Sequence, residues 1–152
     1  MLSTDDLYTQ LKEDIEKLAI PLFDVSEIFV KKKGMFLPHG AALLSNDEVE
    51  IVNFAPEGFE TRKVSALEVL PGLHIALRET AKSKEVIAVA VAESVEITIE
   101  RNKKSKAIKV LFEHQKGLTV ALYLPWEKSI FGGFKLGEPI TIDAEPEICA
   151  WH

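Results

Sequence analysis

The chain has 152 residues, of which 47% are hydrophobic and 28% charged, with a formal net charge of −6. These proportions match an ordinary globular domain and exclude a disordered, collagen-like or disulfide-built chain. One cysteine, Cys149, rules out an internal disulfide and suits a reducing, cytoplasmic setting.

Residues 4–20 predict an amphipathic helix, with Leu7, Leu11, Ile15 and Leu18 at helical spacing. Ser3 or Thr4 can cap it, and Asp5 and Asp6 suit its positive end. Pro21 is expected to break or kink it, with a second helical piece over Phe23–Val30 and a stop at Lys31-Lys32-Lys33-Gly34. Residues 35–44 and 48–55 predict a hairpin around Ser45-Asn46-Asp47, with Pro38 and Gly40 pointing to an edge strand or a bulge. Residues 62–82 predict a second helical region with the stripe Leu67, Leu70, Leu73, Leu77 and Ala81, interrupted by Pro71.

Residues 86–100, 106–114 and 118–126 alternate with period two, the mark of half-buried antiparallel strands. A four-residue loop, Asn102–Ser105, sets Ile97 opposite Val110, Val95 opposite Phe112 and Glu93 opposite His114. A three-residue loop, Gln115-Lys116-Gly117, sets Phe112 opposite Val120. A short strand over Pro139–Asp143 follows the glycine-rich Phe131–Phe134 connection. The expectation is one α+β domain over residues 1–152: an antiparallel sheet built from a hairpin and a long three-strand meander, with the N-terminal and middle helices packed on one face.

Glu93 and His114 interrupt a face that is otherwise Val, Ile, Phe and Leu, and a carboxylate beside an imidazole orients the ring and raises its pKa, as general-base chemistry requires. His39, in the restricted segment Phe36–Gly40, is the third candidate catalytic residue. His74 reads as a boundary residue of the second helix, and His152, at the chain end, as mobile. No HExxH, CxxC, GxSxG or GxxxxGK[ST] pattern occurs, so neither metal nor cofactor is expected. The N-terminus lacks a basic start followed by an apolar run, and no apolar stretch is long enough for a membrane span.

Charge is segregated along the chain. Residues 1–30 carry seven acids and two bases, whereas residues 101–116 carry six bases and one acid. The first expectation for function is therefore a small acidic cytoplasmic protein that binds a protein partner or a second copy of itself without catalysis. An enzyme using Glu93 and His114 is the alternative. Nucleic-acid contact by the basic 101–116 hairpin is the weaker one, because the net negative charge opposes general phosphate binding. No motif names a small-molecule ligand.

Overall fold

The computed structural model describes residues 3–149 and 151. Helix α1 runs from Thr4 to Lys33. The hairpin strands β1 (His39–Leu44) and β2 (Val49–Val52) follow, then helix α2 (Ala66–Ser83). Three long strands come next, β3 (Val86–Ile99), β4 (Lys103–His114) and β5 (Thr119–Lys128), before the short β6 (Phe134–Leu136) and β7 (Ile140–Asp143). All pairings are antiparallel, in the order β2-β1-β3-β4-β5-β6, and β7 pairs with the first half of β5 on the edge whose second half carries β6. The α+β architecture, the meander and the closing strand are those expected from the sequence.

Helix α1 begins where Ser3 Oγ accepts the Asp6 N–H at 3.1 Å and ends at Gly34, whose φ of 74° needs no Cβ-bearing residue. Pro21 neither ends nor splits it. One helix of about 45 Å continues through the proline. Packing explains this: Leu18, Ala19 and Leu22 on either side of Pro21 are buried against the sheet, and their burial offsets the missing hydrogen bond. Pro71 likewise lies inside a single α2, capped by a Ser65–Glu68 capping box.

The helices do not share a face. Leu11, Ile15, Leu18 and Leu22 of α1 pack on Ala88, Ala90, Ala92, Val110 and Phe112. Val69, Leu73 and Leu77 of α2 are buried on the other side, where Leu73 and Leu77 cluster with Val89, Val91, Leu111 and Ala121. Successive strand residues point to opposite faces, so Ala88-Val89-Ala90-Val91-Ala92 serves both layers, alanines under α1 and valines under α2. Leu67, expected in the buried stripe, is exposed near the start of α2.

The β3–β4 register differs from the expected one. Arg101 and Asn102 both take positive φ, and the Lys103 N–H donates to the Glu100 carbonyl. This turn is tighter than the expected loop and resembles the left-handed turns that match strand twist. It pairs Ile99 with Lys103, Glu93 with Lys109 and Ala88 with His114. The shift is an odd number of residues, so it also exchanges faces. The β4–β5 register is the expected one, with Phe112 opposite Val120 and Gly117 at φ 97° in the turn. Strand β1 is interior, between β2 and β3, with a register shift between Leu43 and Leu44. Gly40 fits there because a Cβ would lie 3.0 Å from the Ala90 carbonyl and 3.2 Å from Leu77 of α2.

Chain direction places the charge. The start of α1 lies beside the β4–β5 turn and the Asp143–Pro146 segment. The end of α1 reaches Phe134, near the tip of the β3–β4 hairpin. One end of the molecule therefore gathers acids and the other gathers lysines. No helix of the described residues is long and apolar enough to cross a membrane.

Candidate functional site

The three expected catalytic side chains do not converge. His114 has the parity of Phe112 and faces α1, whereas Glu93 has the parity of Val91 and faces α2. The sheet separates them. His39 faces α1, but it pairs with Ala92 while His114 pairs with Ala88. Four residues of β3, about 13 Å, therefore separate them along the strand, on opposite sides of it.

Each of the three is satisfied locally. Glu93 lies 3.8 Å from Lys109, its cross-strand neighbour. Burial raises the Glu93 pKa, an effect Lys109 opposes. His39 Nε2 lies 2.9 Å from the hydroxyl of buried Ser26, and Phe36 meets the ring edge-on at 5.3 Å between centroids. Burial pushes the His39 pKa down to about 4. His114 is 2% exposed. Its Nδ1 accepts the Lys116 N–H at 3.1 Å, so Nε2 carries the proton and donates to Asp14 Oδ2 at 3.0 Å. Burial lowers the His114 pKa and Asp14 opposes that effect. A general base needs a free lone pair, and the lone pair of this imidazole is taken by the β4–β5 turn. The ring therefore ties α1 to the turn.

That assignment makes a prediction. Replacing Asp14 with Ala leaves Nε2–H without an acceptor and removes the group that resists burial, so the His114 pKa falls further and stability drops by about 1–3 kcal/mol. Nitrogen NMR of the wild type should report the Nε2–H tautomer. The Nδ1–H tautomer would refute the arrangement.

Concave regions lie at both ends of the molecule. One, of about 420 Å³, lies at the acidic end and brings His114, Cys149 and Trp151 to its lining. A Cys–His nucleophile would need a thiolate, yet burial, reinforced by Glu113, pushes the Cys149 thiol up to about 11. The second, of about 450 Å³, lies at the lysine-rich end between β4, β5 and β6.

The most unusual polar group is one that sequence reading passed over. Glu113 is fully buried. Its Oε2 accepts the N–H groups of Glu147 and Ile148, each at 2.7 Å, and its Oε1 accepts that of Cys149 at 2.8 Å. Arg78 of α2 takes the carbonyls of the same segment, donating to Ile148 through Nε and to Glu147 through Nη2. The pair grips the backbone of residues 147–149 over the α2 face and seats Ile148 in the core. In sequence, Glu113 looks like a solvent-facing residue of an alternating strand. The signal available was the run before it: Val110, Leu111 and Phe112 are apolar on both faces of β4. His74 sits on α2, half-buried, with its pKa lowered by burial. His152 lies outside the described residues.

Among the described residues, no three histidine, cysteine or acidic side chains gather in an arrangement that could hold a metal ion. Comparison with known proteins finds no matching family model, no matching curated protein and no matching solved structure.

Proposed function

We propose that this protein is a non-catalytic binding protein of the cytoplasm that associates with a second copy of itself through the β2 edge. The observation that carries the reading is a strip of uncovered aliphatic side chains beside an open strand. Helix α1 lies over β1, β3 and β4, whereas β2 is touched from its other face by α2, with Val52 packed beside Leu73 and Leu77. Lys17 reaches Asp47 in the β1–β2 turn at 2.9 Å, which turns this flank of α1 toward that edge. Pro21, Val25 and Ile28 follow Lys17 along the same flank. Ile28 is 55% exposed, and Ile51, on the α1 side of β2, is 58% exposed. Val25 and Val49 are exposed as well.

An unpaired edge with apolar neighbours is a template for another strand. A two-fold axis through Ile51 keeps the α1 faces of two copies aligned, because paired residues must share a face. Ile51 then meets Ile51 of the second copy, and Val49 meets Asn53. The flanking α1 residues close over them. The buried lone thiol fits the reducing compartment.

Sedimentation equilibrium checks this directly. The wild type should run as a dimer, and the double variant Ile28→Asp, Ile51→Lys as a folded monomer, since both side chains are already exposed in one chain. A monomeric wild type at high concentration, or a variant that stays dimeric, would defeat the reading.

A further inference from the structure

The lysine-rich end of the sheet holds a feature that self-association through β2 does not use. Strand β2 lies at one edge of the sheet, and the groove between β4, β5 and β6 lies toward the other. Lys103, Lys104, Lys106, Lys128 and Lys135 line this groove, against one acid, Glu127. The basic 101–116 hairpin supplies three of the five, and β5 and β6 supply the others. Among the described residues, Lys103, Lys106, Lys128 and Lys135 make no ion pair, and Lys104 lies 3.8 Å from exposed Glu96. Close lysines with so little local compensation repel one another, and an anion among them relieves that repulsion.

The groove has a second property. Trp126 lines it, is 4% exposed, and its indole N–H finds no acceptor among the described residues. A buried donor without a partner is uncommon in a folded protein. The indole is held rigidly, stacked on Phe134 at 5.6 Å between centroids, with Lys106 Nζ 5.4 Å from the ring centre. Further, Lys31, at the end of α1, stands 5.2 Å over Phe134. The Trp126 ring is thus packed against Phe134 and the Lys106 ammonium, while Lys31, paired with Glu27, stands over Phe134.

These observations select a ligand class. A volume of about 450 Å³ suits a small molecule. Lysine heads are compact point charges with rotatable donors, suited to phosphate oxygens of varied geometry. The faces of Trp126 are occupied by Phe134 and Lys106, so no aromatic platform is left for a nucleobase. We propose that this groove is a binding site for a small, multiply charged phosphate compound, held by the lysines that line it.

Inorganic tripolyphosphate is the probe, titrated by calorimetry into the full chain while Trp126 and Trp151 fluorescence is followed. One ligand per chain should bind at low salt and weaken at least tenfold between about 50 mM and 200 mM salt. Lys106→Gln with Lys135→Gln should weaken binding at least tenfold at unchanged melting temperature. A control pair remote from the groove, Lys12→Gln with Lys82→Gln, should have no effect. No binding at low salt would overturn the proposal, as would equal losses from the control pair. Tighter binding of an oligothymidylate than of tripolyphosphate would overturn it in favour of a single-stranded nucleic acid. Because Ile28→Asp, Ile51→Lys leaves the groove untouched, tripolyphosphate should bind that variant as it binds the wild type. The two proposals therefore fail separately.

Discussion

Replacing Glu113 with alanine is expected to cost about 3–5 kcal/mol of folding stability, the largest loss from any polar substitution in this protein. The carboxylate is fully buried and is the acceptor for three consecutive backbone N–H groups, those of Glu147, Ile148 and Cys149. Removing it leaves those donors facing an apolar cavity. They can recover partners only if residues 147–149 leave the sheet for water, which exposes Ile148 and gives up its packing on the α2 face. The alternative costs are thus an unsatisfied buried backbone or a lost piece of core. Glu113→Gln separates them. Its carbonyl oxygen can still accept from Glu147 and Ile148, while its NH2 confronts the Cys149 N–H, so the loss should be about 1–3 kcal/mol. Urea unfolding measures both. Cys149 reports on the mechanism, because its buried thiol should become reactive toward a thiol reagent in the folded alanine variant and stay protected in the glutamine variant. An alanine variant as stable as the wild type, with Cys149 still protected, would show that the grip is unimportant.

The difficulty of finding Glu113 in the sequence has the same origin as the misplaced Glu93–His114 pair. Period-two alternation identifies a strand, yet it assigns a face only when one side is polar. In this sheet α1 and α2 bury opposite faces, so Ala88, Ala90 and Ala92 are as deep as Val89 and Val91. A shift by an odd number of residues therefore leaves an equally apolar surface, and the pattern cannot reject it. The decisive element was the Arg101–Asn102 turn, where two residues other than glycine take positive φ. Asparagine tolerates that conformation well and arginine does so less readily, so the turn left only a faint trace. Where glycine marked the turn, at Gly117, the register was legible. The same holds at Ser3 and Gly34, whose chemistry defines both ends of α1, while the continuity of the helix through Pro21 depends on tertiary packing. Of the binding groove, the hairpin lysines were visible as a charge cluster. Their convergence with Lys128, Lys135 and Trp126 depends on β6 folding back along β5, which brings Leu136 opposite Trp126.

The histidines should make the protein sensitive to mild acid. Burial holds the His39 pKa at about 4, below its ordinary value of 6.5. The folded state keeps His39 neutral through the window between those values, whereas the unfolded chain takes up the proton. Unfolding therefore binds a proton there, and stability rises with pH. The contribution is complete above about pH 6.5 and is lost as pH falls toward about 4. The shift itself corresponds to a ceiling of about 3 kcal/mol, and the partial exposure of His39 reduces it. About 1–2 kcal/mol should disappear between about pH 7 and pH 5. His74 and His114 add in the same direction, since burial lowers both. The ordinary carboxylate range lies below most of this window, so the loss should precede general acid unfolding. Urea midpoints at pH 7, 6 and 5 should fall steadily for the wild type. His39→Gln keeps a hydrogen-bonding group near Ser26 and cannot titrate, so its midpoints should fall less. Proton NMR of His39 provides the independent check. A ring that titrates near 6.5 in the folded protein would remove His39 as the cause, and the pH dependence would then have to come from the other buried rings.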